Sequence, residues 1–192
     1  MPVPGRRSRN VVLRPEVQPA EVRALAERLN WEFYAQIESD PERGIFYEVR
    51  WDTPNGGTAH YIVDEVVDAV YLVARHDDRD AADRVAAEVA DGLVAWSLEE
   101  LLDEFDVNVY PAGWRAALLR LGVGAPVDED DEFALRIRES VGHKGAEVRR
   151  AAVWAMVYTE WATFRELLQS MASDPSPEVA EAAGRAAQLF DR

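Results

Sequence analysis

"EVRRAAVWAM" occupies residues 147–156 and "EVAEAAGRAA" occupies residues 178–187. A shift of 31 residues sets Glu147 on Glu178, Val148 on Val179, Ala151 on Ala182, Ala152 on Ala183 and Ala155 on Ala186. The same shift sets Phe133 on Phe164. The matched apolar positions fall at i, i+3, i+4 and i+7, which is one face of a helix. Alanine on that face lets two helices approach closely. Neither copy contains His, Cys, Ser or Asp, and nothing in either singles out its Glu for chemistry. The stretch therefore reads as a structural unit, a helix–turn–helix that buries its apolar face by stacking on a neighbour.

Helical patterns surround the two copies. "SLEELLDEF" (97–105) opens with Ser97 and Glu100 in capping-box spacing. "PAGWRAALLRLG" (111–122) has Pro111 at its start and Gly122 at its expected end. "GAPVDEDD" reads as a loop leading into "EFALRIRES" (132–140), and "EWATFRELLQSMA" (160–172) lies between the two copies. Residues 97–192 are thus expected to be an all-helical array.

The repeat resembles HEAT repeats, and more closely the short HEAT-like repeats found in phycobilisome bilin lyases and bacterial scaffold proteins. The resemblance rests on Asp174 and Pro175, which match the family's turn, and on Val148 and Arg149, which match its Val-Arg pair. The first unit has His143 and Lys144 where Asp-Pro would sit, and the second has Ala180 where Arg would sit. The resemblance implies a short right-handed solenoid that holds a protein partner. It does not imply bilin chemistry, since the chain has no cysteine.

The N-terminal half has a different period. Residues 1–17 contain Pro, Gly and Arg without apolar periodicity and are expected to be a disordered arm. "QPAEVRALAERLN" (18–30) reads as a helix, with Val22, Leu25, Ala26 and Leu29 on one face and Asn30 as its cap. Four strands follow. "WEFYAQIE" (31–38) alternates, with Trp31, Phe33, Ala35 and Ile37 on one face. "IFYEVRW" (45–51) and "TAHYIV" (58–63) flank "DTPNGG" (52–57), a strong hairpin turn. "AVYLVAR" (69–75) is apolar at nearly every position, as a buried strand is. "HDDRDAADRVAAEVADGLVAW" (76–96) then carries a helical stripe of Ala82, Val85, Ala86, Val89, Ala90 and Leu93. The short links favour an antiparallel meander. The expected fold is α+β: a four-stranded antiparallel sheet with flanking helices over 18–95, followed by a HEAT-like helical array over 97–192.

The charge is unevenly placed. The net charge of −15 divides into +3 over residues 1–20, −8 over 21–80, −10 over 81–132 and 0 over 133–192. Such a field repels nucleic acid and anionic lipid and attracts basic surfaces. Absence of cysteine excludes disulfides and thiolate metal sites and fits a cytoplasmic setting. No apolar run is long enough to span a bilayer.

Chemistry has little foothold. His76 beside Asp77 and Asp78 reads as a helix entry with acids that complement its dipole, and "DEDDE" (128–132) as the N-terminal turn of the next helix. No P-loop, nucleophile elbow or dinucleotide fingerprint is present. The expectation is no catalytic residue, no cofactor and no metal. One aromatic pattern stands out. Trp154, Tyr158 and Trp161 recur at i, i+4 and i+7 beside Arg149 and Arg150, a composition found at interface hot spots. The expected function is non-catalytic protein–protein interaction, as a scaffold or adaptor, with Arg149, Arg150, Trp154, Tyr158 and Trp161 contacting a partner, a basic one if the acidity steers it. Two other readings stay open. One is an acidic immunity-type protein that neutralises a basic toxin, and the other is a nucleic-acid- or cofactor-processing enzyme on a HEAT-like scaffold. If the aromatic–arginine face fails, the sheet face of Tyr34, Phe46, Arg50 and His60 is the next candidate.

Overall fold

A computed structural model describes residues 6–108 and 110–190. The chain is α+β and divides into two compact units, Met1–Trp96 and Ser97–Arg192. Among the described residues no helix is long and apolar enough to cross a membrane.

The first unit is built on an antiparallel sheet of six strands: β1 (Arg6–Arg7), β2 (Val11–Val12), β3 (Glu32–Ile37), β4 (Tyr47–Asp52), β5 (Thr58–Asp64) and β6 (Ala69–His76). The spatial order is β1-β6-β5-β4-β3, with β2 also paired to β6. Four strands were expected, and the extra two come from the segment expected to be a disordered arm. Val11, Val12 and Leu13 are all buried there. Ser8 Oγ accepts from Ala74 N at 3.0 Å, which fastens the segment to β6. Three apolar residues are too few to show a period, yet burying them outweighs the cost of ordering the chain. Residues 6–17 of the expected arm are therefore ordered, and residues 1–5 lie outside the described residues.

Helices α1 (Pro19–Arg28) and α2 (Arg79–Gly92) share one core with the sheet. Val22, Leu25 and Ala26 of α1 and Ala82, Val85, Ala86 and Val89 of α2 meet Trp31, Val49, Trp51, Ala59, Tyr61, Leu72 and Ala74. Asn30 adopts φ 56°, the left-handed turn that ends α1. The turn after β4 places Gly56 at φ 86°, where a side chain would be strained. A bulge between Phe33 and Ala35 breaks the alternation of β3: Phe33 faces Trp51, whereas Ala35 faces Arg50 on the other side of the sheet. The expected common face of Trp31, Phe33, Ala35 and Ile37 is therefore split at Tyr34.

The second unit contains α3 (Leu98–Val107), α4 (Pro111–Gly124), α5 (Asp131–Val141), α6 (Ala146–Thr159), α7 (Arg165–Met171) and α8 (Pro177–Leu189), with a 3-10 turn at Ala162–Phe164 before α7. Ser97 and Glu100 cap α3 reciprocally: Glu100 N donates to Ser97 Oγ and Ser97 N to Glu100 Oε2. The 31-residue offset recurs in the elements. Asp131 starts α5 and Ala162 starts the 3-10 turn; Ala146 starts α6 and Pro177 starts α8. The matched residues share a fate, since Val148, Ala151, Ala152 and Ala155 are buried, as are Val179, Ala182, Ala183 and Ala186. Phe133 and Phe164 are likewise both buried.

Helix α4 runs through Gly122, which was expected to end it, because Gly122 is a packing residue. A Cβ there would meet Ala155 Cα of α6 at 2.4 Å. The two backbones touch where neither residue offers bulk.

Candidate functional site

The aromatic–arginine pattern centres on α6, and the structure separates its five members. Arg149 is committed internally. Its Nε and Nη2 donate to Asp174 Oδ2 and Oδ1, each at 2.7 Å, and its Nη1 donates to the carbonyls of His143 and Lys144. Only 13% of the Arg149 side chain and 7% of the Asp174 side chain are exposed. The hydrogen bonds with Asp174 raise Arg149 above its ordinary value, and those with Arg149 hold the Asp174 carboxyl below its own. A guanidinium so engaged is a strut between two helix pairs.

Trp161 is also internal. It is 4% exposed, stacks on Phe164 with ring centroids 5.7 Å apart, and donates from Nε1 to Val127 O at 3.1 Å. The i+7 spacing from Trp154 assumed a continuous helix, but Glu160 takes φ 58° and ends α6. Trp161 therefore leaves the face on which sequence placed it.

Arg150, Trp154 and Tyr158 remain. They stand at i, i+4 and i+8 on α6, so they form one stripe. Arg150 is exposed, and Trp154 and Tyr158 are half-buried. The opposite side of α6 carries Val148, Ala151, Ala152, Val153, Ala155 and Met156 in the core. The second amphipathic face is thus narrower than the sequence suggested.

The sheet carries a different cluster on the side away from α1 and α2. His60 and Arg50 are cross-strand neighbours in the β4–β5 register. Glu48 joins them: His60 Nδ1 lies 2.5 Å from Glu48 Oε1, and Arg50 Nη2 donates to Glu48 Oε2 at 2.7 Å. Thr58 Oγ1 lies 2.8 Å from His60 Nε2. Burial alone would raise the Glu48 carboxyl, but hydrogen bonds with His60 and Arg50, and their charges, bring it down to about 2. Tyr34 is exposed near this cluster's strand, and Phe46 is half-buried. Sequence alternation pointed to Arg50 and His60 as face-mates. Glu48 shares that face by the same period-2 rule, and no motif flagged it.

The acidic stretches form helix starts. Asp78 Oδ1 accepts from Asp80 N at the start of α2, and His76 Nδ1 accepts from Asp78 N. Asp130 Oδ1 accepts from Glu132 N and Phe133 N at the start of α5. Among the described residues, no three His, Cys, Asp or Glu gather as a metal ion would require.

No family model, curated protein or solved structure matches this chain.

Proposed function

We propose that this chain is a non-catalytic protein-binding protein of the cytoplasm, whose helix pairs in Ser97–Arg192 are HEAT-like repeats. The offset of 31 residues between successive pairs and the Arg149–Asp174 strut support the repeat reading. Binding is assigned to the stripe of Arg150, Trp154 and Tyr158 on α6. The observation that carries this reading is the combination of an exposed arginine and two half-buried aromatics in a single row. Large rings held by their own helix cost little entropy on docking, and arginine adds a charged, stackable rim. The partner is a basic protein. The chain's −8 and −10 over residues 21–80 and 81–132 would speed its approach.

The test is affinity capture from the source lysate at low and high salt, followed by binding of the purified partner to an Arg150→Glu, Trp154→Ala variant. Loss of a hot-spot ring should weaken binding by about 2 kcal/mol or more. The thermal midpoint must be followed beside it, because Trp154→Ala also trims packing. Undiminished binding by a folded variant would reject this face. Capture of no protein at either salt would reject the binding function itself.

A further inference from the structure

The two edges of the sheet are treated differently. At one edge β6 is covered by both β1 and β2. At the other, β3 runs six residues and, among the described residues, has β4 as its one strand neighbour. An uncovered strand offers a row of backbone donors and acceptors that an extended chain can pair with. Two large rings stand on this edge. Phe33 is 61% exposed and Tyr34 62% exposed, and they are adjacent in sequence. The bulge between Phe33 and Ala35 leaves Tyr34 outside the paired register. Bulges re-aim side chains in this way.

The charge of the edge selects its occupant. Glu32 stands directly opposite Asp52 in the β3–β4 register, a pair of like charges that disfavours itself. Glu38 is exposed just past the other end of the strand. A second copy paired antiparallel about Ala35 would set Glu32 against Glu38 at both ends, so self-pairing is opposed. An incoming strand bearing Arg or Lys would relieve the Glu32–Asp52 repulsion and place cations near the faces of Phe33 and Tyr34. We propose that β3 is a second interaction surface, which binds an extended basic segment of another protein by adding it as a strand. This surface lies in the first unit and does not depend on the α6 stripe.

The test uses the full chain and two synthetic peptides with blocked termini, one alternating Arg and Val and one alternating Glu and Val. Amide hydrogen exchange reports on β3 directly. The Arg–Val peptide should slow exchange of β3 amides, and the Glu–Val peptide should not. Its affinity should fall by about tenfold or more when salt rises from about 0.1 M to about 1 M. A Glu32→Lys, Glu38→Lys variant should lose a similar factor. Equal protection by both peptides, no protection by either, or unchanged affinity in the lysine variant would overturn the proposal. Concentration-dependent dimerisation that protects β3 without peptide would also overturn it, by making a second copy the occupant. All the substituted residues are exposed, and a thermal midpoint near that of the parent chain confirms that the variant is folded.

Discussion

Arg149 and Asp174 form a two-pronged ion pair that joins α6 to the turn before α8, each contact 2.7 Å long. The turn before α6 is held by a contact of another kind. Trp114 is the fourth residue of α4, as Arg149 is the fourth of α6. His143 precedes Asp174 by 31 residues. Trp114 and His143 lie against each other with ring centroids 4.8 Å apart. The turn before α6 is therefore held by an aromatic contact and the turn before α8 by an ionic one. His143 stands where the 31-residue shift puts Asp174, and it meets an indole ring where Asp174 meets a guanidinium.

The ion pair should contribute more than an exposed one, because little of either side chain reaches solvent. Arg149→Ala is expected to destabilise the chain by about 1–3 kcal/mol, between the values for surface and buried pairs. Asp174→Asn should cost less, since it keeps one acceptor. A double-mutant cycle by urea unfolding checks the coupling, which should be favourable and persist at high salt.

Gly122→Ala should be destabilising despite the helix preference for alanine. Propensity favours the change by about 1 kcal/mol. The new Cβ would lie 2.4 Å from Ala155 Cα, and backbone cannot swing aside. Overpacking of this kind costs about 1–3 kcal/mol, so a lowered thermal midpoint is the expected net result.

Trp161→Ala and Trp154→Ala should differ in kind. Trp161 loses a stack on Phe164 and a hydrogen bond to Val127 O, so its removal should cost about 3–5 kcal/mol of stability. Trp154 is half-buried, and its removal should act more on partner affinity than on the midpoint. Thermal unfolding of the two variants side by side makes the comparison.

Glu48 gives the first unit a dependence on acid. Its carboxyl is lowered from 4.5 to about 2, so the fold favours the charged form. A depressed acid stabilises fully above its unfolded value, and that stability is lost as pH falls through the folded value. The advantage of the parent chain over Glu48→Gln should therefore be on the order of 2–3 kcal/mol at neutral pH. It should shrink between about 4.5 and about 2. Urea titrations of both proteins across that window test the sign.

The legible parts of the fold are those with a long period. Ala82, Val85, Ala86 and Val89 of α2, and the repeat of Val148, Ala151 and Ala152 in Val179, Ala182 and Ala183, are buried as their spacing predicts, while Ala90 and Leu93 of the expected α2 stripe are half-buried and Leu93 lies beyond the helix end. Strands β4 and β5 follow alternation and the turn at Asn55-Gly56, and β6 follows its continuous apolar run. Strands β1 and β2 are two residues each, shorter than any period, and their pairing depends on what β6 leaves uncovered. The bulge at Tyr34 and the left-handed Glu160 are single-residue backbone events. Each redirects the side chains after it, which is why Ala35 and Trp161 leave their expected faces. The Trp114–His143 contact was not legible because no motif or period links the two residues.

The proposed binding function rests on docking of a protein partner on the α6 stripe. Photo-crosslinking from single positions tests it most directly. A benzophenone side chain at position 150 or 158 should join the partner covalently, while one at exposed Leu135 on α5 should not. Crosslinks from 150 and 158, suppressed by excess unlabelled chain, are the predicted result. Crosslinks from 135 alone, or equally from all three positions, would show that the partner docks elsewhere.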